Sequence, residues 1–278
     1  MKAMAQMRDA LVETWAHVTG QPHRLGFTAA TLTDCGFVRP ENQDSFAFDP
    51  GAGFFCVADG MGGGEGGALA SRWTCDALTA AWQTARTLAP AAREATMNDA
   101  LQAVNERIRA YARDQGFKMM GTTVVALLHV DAEGARARLF HVGDSRLYRL
   151  RYGRLDLLTR DHTVGNELGT AVATSDASRA KSLQARSNPL THILTRAVGT
   201  EQRVRPEWKT VDVQRGDRFL LCSDGVHDMV DDADLGRLLV EADDPQDAVE
   251  TIGAAVRAAG AGDNYTLVCA DVRTVIWV

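Results

Sequence analysis

The chain has 278 residues, of which 45% are hydrophobic and 24% are charged, with 25 Gly, 7 Pro and 5 Cys. These fractions are typical of an ordinary globular protein and exclude the collagen-like, disordered and disulfide-scaffold classes. The net charge of −6 predicts neither a nucleic-acid-binding surface nor a surface that binds acidic lipids. The cysteines are odd in number and widely spaced, which favours reduced, buried thiols in a cytoplasmic protein.

The first predicted element is an amphipathic helix over residues 4–18. Its apolar residues recur at steps of three and four: Met4, Met7, Leu11, Trp15 and Val18. Such a helix either packs on its own domain or docks onto a partner or a second copy of the chain. Acidic residues inside its apolar stretch argue against a secretory signal, and no apolar run approaches the ~18 residues that cross a bilayer.

Strands and helices then follow in groups. We predict strands at 26–33, 45–48 and 53–58, followed by helices at 67–85 and 94–115. Two hairpins come next, formed by 123–130 with 135–142 and by 146–150 with 155–158. After an irregular stretch, we predict a strand at 218–222, a helix at 246–259, and strands at 265–272 and 275–278. Because strands cluster in antiparallel runs, the pattern favours an α+β layered sandwich over a doubly wound parallel sheet. We predict one domain at 25–278, preceded by a helical extension at 1–24.

Several predicted strands end, or in one case begin, next to an Asp beside a Gly. The pairs are Asp59-Gly60, Gly143-Asp144, Asp224-Gly225 and Gly262-Asp263. At such an edge the sheet fixes the carboxylate, while glycine lets a backbone carbonyl turn towards an ion. Turns also favour Asp-Gly, so the pairs alone leave both a shared metal site and ordinary turns open.

The order of the surrounding motifs decides between these two interpretations. From about residue 25 to residue 272, the chain contains Arg39-x-x-Asn42-Gln43-Asp44, Asp59-Gly60-Met61-Gly62-Gly63, Gly121-Thr122-Thr123, His141-Val142-Gly143-Asp144-Ser145-Arg146, Asp161-His162, Leu194-Thr195-Arg196-Ala197-Val198-Gly199, Ser223-Asp224-Gly225 and Gly262-Asp263-Asn264-Tyr265-Thr266. With this set the sequence resembles the bacterial form of the PP2C-like (PPM) metal-dependent serine/threonine protein phosphatases. The resemblance implies a four-layer α-β-β-α sandwich and hydrolysis of phosphoserine and phosphothreonine in proteins.

The resemblance also implies a two-metal centre. Carried over residue by residue, its ligands are the carboxylates of Asp44, Asp59, Asp224 and Asp263 and the carbonyl of Gly60. Oxygen donors suit Mn²⁺ or Mg²⁺ better than zinc. Two such ions lower the pKa of a bridging water, which would attack phosphorus directly without a covalent phosphoenzyme.

Three further residues are assigned through the same resemblance. Arg39 is expected to present its planar guanidinium to the non-bridging phosphoryl oxygens. A looser third metal site would use Asp144 and Asp228, which lies four residues after Asp224. Both aspartates could instead simply cap turns.

The sequence departs from the family pattern at two positions. Some members have a histidine assigned as general acid directly after the Asp-Gly pair, and here that residue is Met61. Where a glutamate often precedes the first metal-binding aspartate, this chain has Gln43, which we leave out of the ligand set. His141 and His162 are expected to be hydrogen-bonded structural residues. The Gly-rich run at 60–67 lacks the ending and spacing of a nucleotide-binding loop.

The segment between Asp161-His162 and Leu194 corresponds to the family's flap beside the active site, at about 163–193. Its part at 165–189 is rich in Ser, Ala and Arg, and it either selects phosphorylated substrates or has no substrate role. Expected partners are therefore phosphoproteins made by a serine/threonine kinase, either many or a single dedicated client. A catalytically silent module that binds partners through residues 4–18 is the alternative from another functional class.

Overall fold

In the computed structural model, the structure describes residues 24–129, 135–167 and 193–275. The predicted helix at 4–18, most of the flap and residues 276–278 lie outside this part of the chain. The strands are β1 (Arg24–Asp34), β2 (Asp44–Asp49), β3 (Phe54–Gly62), β4 (Met120–Thr122), β5 (Val124–His129), β6 (Arg136–Val142), β7 (Arg146–Arg151), β8 (Arg154–Leu157), β9 (Glu207–Asp212), β10 (Arg218–Cys222) and β11 (Tyr265–Val275). The helices are α1 (Gly66–Ala85), α2 (Pro90–Gln115), α3 (Asp224–His227), α4 (Asp232–Glu241) and α5 (Pro245–Ala258).

The strands form two antiparallel sheets. The first sheet has the order β1-β11-β10-β7-β8 and the second has the order β2-β3-β5-β6-β9. The short strand β4 pairs with the last residues of β3. Phe55, Val57 and Leu127 of the second sheet face Phe219 and Leu221 of the first in a shared buried cluster. The alternation of side chains along each strand sends the other face of each sheet towards helices.

Helices cover both outer faces. In α1, fully buried residues recur every four positions on the side that faces the second sheet: Ala70, Thr74, Leu78 and Trp82. α2 packs beside α1 in the same cluster. On the first sheet, α4 and α5 are each capped by an aspartate that accepts a backbone N–H, at Asp231 and Asp244. The structure is therefore the expected four-layer α-β-β-α sandwich.

Several elements differ from the sequence-based prediction. The prediction had neither β9 nor α4, and it broke the last strand after residue 272, whereas β11 continues to Val275. Within β11, Asp271 is buried against Arg218 on the neighbouring β10, so a charged residue is accommodated inside the strand. Among the described helices, none combines the length and the apolar character that a membrane crossing requires.

Candidate metal centre

The predicted site residues meet where one edge of both sheets opens into a cleft of about 740 Å³. At this edge of the first sheet, β10 ends and β11 begins. At the corresponding edge of the second sheet, β2 begins and β3 approaches its last residues. Six of the eight predicted residues line the cleft: Arg39, Asp59, Gly60, Asp144, Asp224 and Asp263. Asp44 and Asp228 are not among the lining residues.

Asp44 lies directly behind the lining, opposite Asp59 in the register of β2 and β3. Its Oδ2 accepts a hydrogen bond from Ser223 Oγ at 2.7 Å. Its Oδ1 is fully buried and has no hydrogen-bond partner among the described residues. Burial raises the pKa of Asp44 to about 7, with repulsion from Asp224 and Asp263 adding to the rise. A buried carboxylate oxygen without a partner is costly unless a cation binds it, so this position fits a metal ligand.

Two threonines fix the backbone of Asp59. Thr123 Oγ1 accepts from the Asp59 N–H at 3.0 Å, and Thr122 Oγ1 donates to the Asp59 carbonyl at 2.8 Å. Burial, followed by repulsion from Asp224 and Asp44, raises the pKa of Asp59 well above its usual range.

Asp224 is the first residue of α3 and lines the same cleft. The Asp228 N–H donates to the Asp224 carbonyl at 2.9 Å, so Asp228 lies one helical turn after Asp224. The Asp228 carboxylate lies 3.4 Å from His227 Nδ1, and His227 Nε2 lies 3.2 Å from the Asp144 carbonyl. Burial raises the pKa values of both Asp224 and Asp144, in the case of Asp144 to about 7. The crowded carboxyl groups of the cleft are thus poorly stabilised as anions by the protein itself.

Arg39 reaches the centre through Asp263. Its Nη2 donates to Asp263 Oδ2 at 2.7 Å, and this bond is the largest contribution raising the pKa of the guanidinium. The Arg39 side chain is 56% exposed, so it also borders the open part of the cleft. Gly36 makes this approach feasible because a Cβ there would lie 2.3 Å from the Asp263 carbonyl oxygen, and its φ is +73°.

Asn264 is a site residue whose role the sequence analysis missed. Its Nδ2 donates to the carbonyls of Cys35 and Glu41, at 2.9 and 2.8 Å, and its Oδ1 accepts from the Gln43 N–H at 2.9 Å. This buried side chain thereby joins the start of β11 to both ends of the loop that contains Arg39. Its place beside Asp263 in a motif was a signal, but the three contacts depend on tertiary structure.

The amide of Gln43 holds the glycine-rich loop. Its Nε2 donates to the Gly64 carbonyl at 2.9 Å and to Glu41 Oε1 at 2.6 Å. A Cβ at Gly67 would lie 2.3 Å from Gln43 Oε1, so the glycine lets the start of α1 pack against this amide. Gln43 therefore has a loop-positioning contact that a carboxylate could not make, since a carboxylate cannot donate to a carbonyl.

A second cluster, His141, His162 and Glu207, has potential ligand atoms within 4.8 Å of one another. The Gly143 N–H donates to His162 Nδ1 at 3.1 Å, which places the proton of the neutral ring on Nε2. That nitrogen also lies 3.2 Å from the Arg196 guanidinium, so this arrangement disfavours a cation. His162 is hydrogen-bonded as predicted. The prediction is wrong for His141, which is buried with neither ring nitrogen bonded to any described residue.

Comparisons with known proteins agree with this geometry. The family model described as protein phosphatase 2C matches residues 40–256. Protein phosphatase PhpP of Streptococcus pneumoniae is 31% identical over 240 residues, which cover 85% of this chain and 94% of that protein.

Solved structures extend the agreement to the fold. The structure of PppA, a key regulatory component of T6SS in Pseudomonas aeruginosa, matches with a TM-score of 0.76 and 32% identity, over 90% of this chain and 100% of that one. The catalytic domain of the serine threonine protein phosphatase PstP, in complex with two manganese ions, matches with a TM-score of 0.75 and 31% identity, over 90% and 99% of the two chains. The chain therefore belongs to the protein phosphatase 2C family of metal-dependent serine/threonine protein phosphatases.

Proposed function

We propose that the cleft holds two divalent cations, Mn²⁺ or Mg²⁺, between the carboxylates of Asp44, Asp59, Asp224 and Asp263 and the carbonyl of Gly60. The observation that carries this assignment is Asp44 Oδ1, which is buried without a hydrogen-bond partner among the described residues, beside other crowded carboxylates. Every proposed donor is an oxygen, and hard cations prefer such a set. The two manganese ions of the PstP catalytic domain support the same stoichiometry.

A third cation site is proposed at Asp144, with Asp228 as its second carboxylate. Asp144 is buried and lines the same cleft, so a cation there would offset its burial. Asp228 is one turn beyond Asp224 and 35% exposed, which suits a looser site with water among its ligands.

When bound, the two central cations supply Lewis acidity, which lowers the pKa of water and offsets phosphoryl charge. Arg39 binds the substrate phosphoryl group because its planar fork matches two non-bridging oxygens. Asp263 orients that guanidinium through their 2.7 Å bond. Met61, which also lines the cleft, has no proton to give the leaving group. None of the described cleft-lining residues is a cysteine, which agrees with direct hydrolysis rather than a thiol phosphoenzyme.

The substrates we propose are phosphoserine and phosphothreonine proteins produced by a serine/threonine kinase in the same cytoplasm. Partner docking or self-association through residues 4–18 and substrate selection by the flap remain separate proposals. A catalytically silent binding module is not favoured, because all the proposed carboxylates are present around one cleft.

The test of the site combines two substitutions with a matched control. We expect Asp59→Asn and Asp224→Asn to lower the rate of p-nitrophenyl phosphate hydrolysis with Mn²⁺ by several orders of magnitude while the fold persists. Asp49→Asn, at the other end of the strand that begins with Asp44, should leave the rate unchanged. Near-normal rates in either site variant would reject the assignment.

The substrate class is tested separately with phosphoserine, phosphothreonine and phosphotyrosine peptides of one sequence. We expect activity on the first two only, and only with added Mn²⁺ or Mg²⁺. Titration calorimetry after chelator treatment should detect about two bound cations, with a third if Asp144 and Asp228 form a site. Failure to bind either cation would overturn the metal assignment.

A further inference from the structure

Large apolar side chains are exposed around the mouth of the cleft. Eight large hydrophobic residues of the described chain are exposed. Two of these eight, Met119 and Ile193, line the cleft, and two more, Phe37 and Val38, directly precede Arg39, which also lines it. We call these four residues, with exposed fractions from 48% to 70%, the apolar rim. Exposed apolar surface beside a cleft is typical of a binding surface.

The apolar rim approaches the cleft from different sides. Phe37 and Val38 directly precede Arg39, and the Phe37 N–H donates to the Ala261 carbonyl at 2.9 Å, which holds this turn beside Asp263. Met119 lines the cleft where its backbone lies against Gly62 of the glycine-rich loop. Ile193 also lines the cleft, and its carbonyl accepts from Val164 N–H at 2.9 Å.

We propose that the apolar rim binds uncharged, apolar side chains on either side of the phosphoresidue, so that the preferred substrate is a phosphorylated segment with such neighbours. This inference rests on the proposed phosphatase function. A phosphoryl group that reaches Arg39 brings the adjacent residues of its chain over the cleft mouth, where Phe37, Val38 and Met119 are available. The unbranched, polarizable side chain of Met119 can adapt to neighbours of different shape.

The test uses three phosphothreonine peptides that differ only in the two flanking residues, which are Leu, Gln or Glu. Leu and Gln are similar in size and uncharged, so their comparison isolates apolar contact from charge. We expect kcat/KM to be about tenfold higher for the Leu peptide than for the Gln peptide, as partial burial of one or two aliphatic side chains would give. The Glu peptide should be the poorest of the three.

Variants then locate the preference. Phe37→Ser and Met119→Ser should each reduce the Leu-to-Gln ratio to about threefold or less; both side chains are more than half exposed, so the fold should tolerate the change. Tyr152→Ser and Leu157→Ser remove exposed apolar side chains from the β7–β8 hairpin, where no neighbouring residue lines the cleft, and should keep the tenfold ratio.

The possible outcomes distinguish failure of the apolar rim from failure of the proposed phosphatase function. Equal rates on the Leu and Gln peptides, a preference for Glu, or an unchanged ratio in both rim variants would overturn the apolar rim as a specificity surface. If the wild-type protein with Mn²⁺ hydrolyses neither p-nitrophenyl phosphate nor any phosphopeptide, the proposed function itself fails.

Discussion

Replacing Asp44 with Asn should stabilise the chelator-treated protein while removing its response to metal. Burial raises the pKa of Asp44 from its usual 3.8 to about 7. Keeping this carboxylate ionised in the folded protein therefore lowers the free energy of unfolding by about 4 kcal/mol. An amide avoids this cost but accepts a weaker hydrogen bond from Ser223, so we expect a net gain of roughly 2–3 kcal/mol at pH 8. For a protein of this size the gain corresponds to roughly 5–10 °C in Tm.

The assay is thermal unfolding at pH 8, followed by circular dichroism, in excess chelator and again in saturating Mn²⁺. Wild-type Tm should rise on adding Mn²⁺ because the cation binds only the folded state. Asp44→Asn should begin at a higher Tm, gain much less from Mn²⁺ and hydrolyse p-nitrophenyl phosphate far more slowly. Asp49→Asn, at the other end of the same strand, should behave as wild type. A lower Tm of Asp44→Asn in chelator, or a Mn²⁺ response equal to that of wild type, would refute the reasoning.

Three further predictions address substrate binding, pH and the core. Arg39→Ala should raise KM for p-nitrophenyl phosphate by about tenfold with a smaller effect on kcat, and a collapse of kcat at unchanged KM would contradict the binding role. The pKa values of Asp44 and Asp144 are raised in the folded state. The metal-free protein should therefore be most stable below about pH 4 and should lose stability as pH rises through about 7. Tm in chelator should therefore be lower at pH 8 than at pH 5, and a flat profile would argue against buried carboxylates. Arg218→Met should lower the free energy of unfolding, measured with urea, by about 3–5 kcal/mol because it leaves the Asp271 carboxylate buried without its bidentate partner. A decrease below about 1 kcal/mol would contradict this prediction.

The layered fold was predictable because most strands and helices bury one face. The same signal is weak in β9 at the edge of the second sheet, where Val211 is the one buried residue and Trp208, half-buried, is the only other apolar one. In β11 the predicted break fell at residues 273 and 274, but Arg273 donates to the Asp271 carboxylate and the strand continues to Val275. In α4 the local signal is Asp231, whose side chain caps the helix by accepting from the Asp234 N–H.

The candidate site was predictable only through the ordered motifs. Spacing along the chain could not reveal that Asp44 lies opposite Asp59, since that depends on the register of a hairpin. Nor could it show that Asn264 joins the start of β11 to the loop around Arg39, because those segments are more than 200 residues apart. Contacts of this kind arise from the meeting of two sheets, and no local pattern encodes them.

The charge of the proposed centre gives a physical reason for the unusual Gln43. In the proposed centre four aspartates would offset two divalent cations, and one of them, Asp263, also accepts from the Arg39 guanidinium. A further carboxylate at position 43 would add negative charge to the cleft lining and would face the Gly64 carbonyl and the Glu41 carboxylate, which now accept from the Gln43 amide. The amide thus serves loop geometry and charge balance together. Because its contacts are to backbone and to Glu41, its role is to position the glycine-rich loop from which the Gly60 carbonyl would reach a cation.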